Sequence, residues 1–399
     1  MLSTLATVTT SNTASLTAQW RCSTNWSPGE RVNTDLLSPV WTSPVQPELT
    51  LRQWSLLLGQ ARQTTLLPRL AHLFIDRGWI EHVPAGPRRH LEGAIRLAER
   101  QQHEVRWEVN CIARTVLELN TPVVLLKGAA YVMHELPQAQ GRLFSDIDIL
   151  VDRDRIEDTE NCLLGGGWIC EERDAYNQRY YREWMHEIPP LRHVKRNTFI
   201  DLHHTIAPPT SRFHVDGRKL LERVVPVKGY PMLFVLAPVD MVLHSAVHLF
   251  QEGEFGHGLR DLLDLNDLLI HFGPTPGFWD GLVARADELG LQTPLFHALR
   301  HIGRLFGTHA PPHLLARIDA MGPNPLARAL MSWSLGHALR PMHPSSDLPL
   351  TGVARWFLYV RSHMLRMPLH LVVPHLLRKA WMRQFPNSEK DEVVLPQKA

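Results

Sequence analysis

Asp146 and Asp148 stand two residues apart in the run Ser145-Asp146-Ile147-Asp148-Ile149-Leu150-Val151. Side chains on a strand alternate faces, so the two carboxylates share one face while Ile147 and Ile149 turn into the body. Carboxylates placed this way repel each other unless a cation sits between them. Hard oxygen ligands at that spacing suit Mg²⁺, which keeps part of its water shell and takes its other ligands from a nucleotide's phosphates. Upstream, the apolar run Val123-Val124-Leu125-Leu126 leads into Lys127-Gly128-Ala129-Ala130. A strand that ends in Gly before a helix leaves backbone N–H groups for a phosphate. A third acid, Asp201, lies in Thr198-Phe199-Ile200-Asp201-Leu202-His203, which again alternates. A DxD pair on its own is also what a solvated strand end looks like. The order strand, Lys-Gly, helix, Gly141-Arg142 and DxD strand is the more specific signal.

Other residues join this set, each with a plainer alternative. Lys127 could neutralise phosphate or be a solvated strand-end lysine. Arg142, just before the DxD strand, suits phosphate or a contact to the carboxylates. His203 follows Asp201 by two residues, hence on its face, where it could orient the acid or touch an acceptor; a turn histidine is the alternative. His244 and His248 have the helical spacing that can bind zinc, but no third ligand is evident, and a half-buried structural pair is the simpler reading. Arg260 and Asp264 are also four apart and either face a nucleotide or bridge each other along a helix.

The motif order resembles the nucleotidyltransferase superfamily of polymerase-beta-like fold. More closely, it is similar to an uncharacterised bacterial nucleotidyltransferase family with LKG, then GR…DIDLLV, a later DLH and a helical Arg-Asp segment. The resemblance covers roughly residues 50 to 275. It implies that Asp146 and Asp148 hold the Mg²⁺ bridging the triphosphate of an NTP, with ATP the expected one. Asp201 is then the third carboxylate, helping to hold a second metal and drawing the proton from an acceptor hydroxyl. Gly128 matches the glycine that lets backbone approach the phosphates. Ala129 stands where Ser or Gly is usual, so no hydroxyl helps there. The implied reaction transfers a nucleoside monophosphate to a hydroxyl of a small molecule or protein and releases pyrophosphate. Two other readings stay open: a nucleotide-binding protein without catalysis, and a metallohydrolase built on His244, His248, Asp261 and Asp264.

Composition limits the alternatives. The chain has 399 residues, 42 basic against 40 acidic, and a net charge of +2. That balance gives no sign of a nucleic-acid partner, which usually shows a basic excess. Four cysteines (Cys22, Cys111, Cys162, Cys170) without a CxxC indicate neither a zinc ribbon nor a disulfide scaffold. The first twenty residues lack a basic segment and a sustained apolar run, and no long apolar stretch predicts a membrane span. A cytoplasmic location is expected. The basic, Trp-containing segment 356–385 suggests contact with a membrane surface only as a minor alternative to packing on the domain.

The elements that must position these residues can be read in outline. Residues 1–46, rich in Ser, Thr, Asn and Pro, predict a disordered or weakly ordered extension. An N-terminal helical region, 47–120, should hold a helical stretch over 49–74, split or kinked at Pro68, and another helix over 88–120 after a break at Pro84–Pro87. An α/β core, 121–237, should contain strands 123–126 and 146–151, helices 128–136 and 154–164, and antiparallel strands within 174–206. Helices at 241–250 (capped by Asp240), 259–271, 278–289, 291–306, 312–320, 324–336, 352–365 and 369–384 form a C-terminal helical domain, 238–385, before a flexible tail, 386–399. The expected class is α+β, a small mixed sheet flanked by helices at both ends.

Overall fold

A computed structural model describes residues 34–251, 253–368, 370 and 372. Apart from 370 and 372, the expected helix over 369–384 and the tail lie outside the described residues, as do residues 1–33 of the extension. The class is α+β, with a seven-stranded mixed sheet between N-terminal and C-terminal helices.

The N-terminal part comprises α1 (Leu37–Val40), α2 (Leu51–Gln63), α3 (Leu67–Asp76) and α4 (Ala85–Val116). Thr50 and Gln53 form a reciprocal capping box that starts α2. Of the split or kink expected at Pro68 within 49–74, the split is what forms: Pro68 occupies the first turn of α3, where its missing N–H costs nothing. The break expected at Pro84–Pro87 likewise starts α4, since Pro87 falls in the first turn. Residues 34–46 correct the expectation of weak order for that stretch. Leu36, Leu37 and Val40 are buried in one cluster with Trp54 and Leu57. Gln60 Oε1 accepts from the Leu36 and Leu37 N–H groups at 3.0 and 3.1 Å.

The central part contains β1 (Val123–Leu125), α5 (Lys127–Met133), β2 (Ile147–Leu150), α6 (Ile156–Gly165), β3 (Trp168–Cys170), α7 (Ala175–Arg179), β4 (Leu191–His193), β5 (Phe199–His203), α8 (Gly217–Leu221), β6 (Val225–Pro226) and β7 (Leu233–Val235). The sheet order is β3-β4-β5-β2-β1-β7-β6. β2 runs antiparallel to β1 and parallel to β5, in a register that sets Asp148 opposite Asp201. Within 174–206, β4 and β5 are strands as expected, but Tyr180, Tyr181 and Trp184 belong to a π-helical turn, Tyr180–Trp184, that continues α7. Asp174 caps α7 by accepting from Asn177 N–H, and Arg179 pairs with Glu183 one turn on, so local contacts outweigh the β preference of the aromatics.

The C-terminal part holds α9 (Pro238–Gln251), α10 (Gly258–Phe272), α11 (Phe278–Glu288), α12 (Gln292–Phe306), α13 (Leu315–Ala320), α14 (Pro325–Ala338) and α15 (Thr351–Arg366). Asp240 does not cap a helix at 241: it lies inside the first turn of α9, where the buried Arg285 donates to it at 2.8 and 3.0 Å. A single apolar cluster runs from α4 through the sheet into α9–α15. Among the described residues, no helix is long and apolar enough to cross a membrane.

Candidate active site

The turn between β1 and α5 begins the site. Lys127 adopts φ 41°, a left-handed backbone that costs an L-residue energy and is found where the surroundings fix it. Its Nζ donates to Asp148 Oδ1 at 3.0 Å. His203, at the end of β5, brings Nε2 within 3.1 Å of the same oxygen. Both contacts fall on Oδ1, and Oδ2 takes no hydrogen bond among the described residues. Burial alone would raise the Asp148 carboxyl, but the Lys127 charge and the His203 hydrogen bond outweigh it and hold it well below the usual carboxylate range. Asp146, just before β2, is exposed, and Ser145 Oγ donates to it at 2.9 Å.

Asp146 and Asp148 open on a cavity of about 210 Å³ whose wall also carries Lys127, Gly128, Arg142 and Arg260. Arg142 reaches it from below α3. Its Nε donates to Asp264 Oδ2 at 2.9 Å, while Arg69 Nη1 donates to Asp264 Oδ1 at 2.6 Å. Arg69 also pairs with Asp267. One buried carboxylate thus holds two guanidinium groups. The Arg142 guanidinium lies 5.7 Å from the Tyr131 ring centre and 5.5 Å from that of Phe144. A Cβ on Gly128 would meet Arg142 Nη1 at 2.6 Å and Phe144 Cδ1 at 2.8 Å. Gly128 is therefore required for Arg142 and Phe144 to cross the start of α5, a reason separate from phosphate approach.

Arg260 and Asp264 both line the cavity, yet they are not an intrahelical pair. Arg260 pairs with its neighbour Asp261 at 2.8 Å, and Asp264 serves the two arginines. Ala129 is buried and does not line the cavity. His248 lines it, whereas His244 is buried behind Lys127, where desolvation and then the Lys127 charge hold its imidazole well below the ordinary range. His244, His248, Asp261 and Asp264 form no grouping at metal-ligand spacing, and Asp264 is engaged by two arginines. Among the described residues, the one grouping of three or more His, Cys, Asp or Glu at metal-ligand spacing is His186, Glu187 and His203.

Asp201 lies beside Asp148 across the β2–β5 ladder but outside the cavity lining. Asp146, Asp148 and Asp201 do not form a grouping at metal-ligand spacing as they stand, although the charges of Asp148 and Asp146 both reach Asp201. Burial, then the charges of Glu187 and Asp148, push the Asp201 carboxyl up to about 7.

Several residues at the site escaped the sequence reading. Tyr131, Ser145, Ser245 and His257 line the cavity, and Tyr131 Oη lies 2.9 Å from Ser245 Oγ. Ser145 adjoins the DxD pair and could have been found from that position. Arg69 comes from a helix far upstream, with no local signal.

The model of a family described as uncharacterised nucleotidyltransferase matches residues 50–307, more than half of the chain. The chain belongs to that family. The matched segment of this nucleotidyltransferase begins just before α2, ends just after α12 and holds every residue of the cavity wall. No curated protein and no solved structure matches the chain.

Proposed function

We propose that this nucleotidyltransferase takes an NTP, with ATP the expected one, together with Mg²⁺ and transfers its nucleoside monophosphate to a hydroxyl of a small molecule or protein. The observation that carries the reading is the pairing, in one cavity, of the exposed Asp146 and the buried Asp148 with Lys127, Arg142 and Arg260. The donor set fits a hard cation: Asp146 is exposed, and the Oδ2 atom of Asp148 has no other partner among the described residues. Mg²⁺ bound there would supply neutralisation of the triphosphate charge.

The chain's own residues then have distinct tasks. Lys127 and Arg142 offer positive charge that Asp148 and Asp264 already hold in place, so little reorganisation accompanies binding. Arg260 adds a third cation from α10. The acceptor oxygen forms a bond to the α-phosphorus while the bond to the β-phosphate bridging oxygen breaks, and pyrophosphate leaves with that electron pair. We assign the acceptor's proton to Asp201, on the strength of its register beside Asp148 and a carboxyl pushed up to about 7, with the acceptor hydroxyl reaching the α-phosphorus from the Asp201 side of Asp148 rather than through the cavity wall. The balanced net charge favours a small-molecule or protein acceptor over nucleic acid, in a cytoplasmic setting.

The test is label transfer from α-labelled NTPs with Mg²⁺, using cell extract as the acceptor pool. Transfer should fall by about a hundredfold or more in Asp146→Ala/Asp148→Ala. Asp201→Asn should lose transfer while keeping nucleotide binding. Mg²⁺-dependent binding without transfer in the wild type would favour a nucleotide-binding protein, and neither binding nor transfer would refute the proposal.

A further inference from the structure

On the same side of β5 as β4, and just before β4 in the chain, residues 186–188 run as an extra antiparallel segment. Glu187 bridges His203, Ile188 N–H donates to Leu202 C=O at 3.0 Å, and His204 N–H donates to His186 C=O at 2.9 Å. The π-helical turn Tyr180–Trp184 delivers this segment, and such turns are rare and frequent at functional sites.

The side chains of His186, Glu187 and His203 converge. His203 Nε2 lies 3.5 Å from Glu187 Oε2, and His186 Nε2 lies 3.8 Å from the same oxygen. One nitrogen from each imidazole and one Glu187 oxygen all lie within 4.8 Å of one another. Two ligands each about 2.1 Å from a tetrahedral ion stand roughly 3.4 Å apart, so these spacings need only small adjustments. Ordinary hydrogen bonding explains His186 poorly. Its Nδ1 is buried with no hydrogen-bond partner, and its Nε2–Glu187 distance exceeds hydrogen-bond length. His203 Nδ1 is also buried without a partner.

We propose that His186, Glu187 and His203 form a transition-metal site, with Zn²⁺ or a similar divalent ion as its ligand. Two imidazoles and one carboxylate suit such ions, whereas Mg²⁺ prefers oxygen ligands throughout. The site is chemically distinct from the Asp146/Asp148 pair but adjoins it, because His203 Nε2 also contacts Asp148 Oδ1. An ion taking that nitrogen requires the proton to leave His203 and removes one of the two hydrogen-bond donors from Asp148. The inference stands whether or not the proposed transfer reaction is correct.

The experiment uses the full chain, stripped with EDTA and desalted, titrated with Zn²⁺ by calorimetry and with Co²⁺ by visible absorption. The wild type should take up a single equivalent of either ion. His186→Ala and the isosteric Glu187→Gln, each checked for folding by circular dichroism, should weaken binding by about tenfold or more. Asp146→Ala should bind the ion as the wild type does. No saturable binding by the wild type would overturn the proposal. So would unchanged affinity in both folded His186 and Glu187 variants, or loss of binding in Asp146→Ala, which would place the ion at the carboxylate pair instead.

Discussion

Asp264 is the residue on which most of the cavity wall depends. Its side chain is buried, and both oxygens are occupied, one by Arg69 and one by Arg142. Removing the carboxylate leaves two buried guanidinium groups without their partner, a change that costs about 3–5 kcal/mol in comparable pairs. Asp264→Ala should lower the urea midpoint accordingly, and the proposed nucleotide affinity should fall with it. Asp264→Asn should destabilise less, because it keeps the shape and one acceptor. At this scale the sequence was informative where chemistry is local: Asp146, Asp148, Lys127 and Arg142 meet at one cavity. It was silent where contacts join distant segments. Nothing near Arg69 indicates Asp264, and Glu187 reaches His203 only because a π turn and a β bridge bring them together. Arg260 and Asp264 have the spacing of a helical pair, but Arg260 takes its chain neighbour Asp261, and Asp264 takes two arginines more deeply buried than Arg260.

At the scale of the element, Gly141 shows how a loop aims a side chain. Its φ is 71°, and a Cβ there would meet the backbone N of Arg69 at 2.8 Å. The turn thereby passes under α3 and sends Arg142 to Asp264. Gly141→Ala combines left-handed strain with a backbone clash, and we expect about 2–4 kcal/mol of lost stability, read from the denaturant midpoint. α12 offers a different test. His297 and His301 pack near Phe250, with ring centres 5.8 and 6.3 Å away. Burial, then neighbouring positive charge, pulls them down to about 3 and about 4. Both are neutral in the fold, while the unfolded chain takes up protons near pH 6.5. Their contribution is therefore present above pH 6.5 and is lost as pH falls toward 4, by about 1.4 kcal/mol per pH unit for each histidine. Denaturation from pH 7 to 4.5 should show this slope, and His297→Leu should remove its share. Element types and order were readable from periodicity and stop signals. Exceptions were α1, α8, β6 and β7, for which no element was expected, and 175–184, whose aromatic residues suggested strands while Asp174 and the Arg179–Glu183 pair made a helical turn.

For the whole molecule, the apolar cluster that crosses from the sheet into the C-terminal helices matters more than a boundary drawn at residue 237 or 238. Val124, Ile149, Leu243, Leu265 and Leu358 all belong to it. Leu259 and Leu263 of α10 pack in the N-terminal cluster, while Leu262 and Leu265 of the same helix pack in the large one. Scanning calorimetry should give one cooperative transition for the described body, with a van't Hoff enthalpy equal to the calorimetric one. Two separated transitions would show that the sheet and the C-terminal helices fold independently. The sequence displayed three compositional regions, but patterning within each segment carries no information about which apolar faces meet.

The sharing of Asp264 has a practical consequence for anyone wishing to shorten this protein. A fragment starting at residue 121 would keep both carboxylates of the DxD pair, Lys127 and the whole sheet, and on paper would look like a minimal enzyme. It would lack Arg69. The carboxylate that aims Arg142 would lose one of its two counter-charges and the helix that shields it. Among the described residues, Asp264 would then be held by Arg142 Nε alone, free to rotate and carry Arg142 with it. Trimming at the amino end would thus loosen the grip on a ligand in the cavity that Asp264 and Arg142 both line, and a smaller catalyst would require a redesigned substitute for α3.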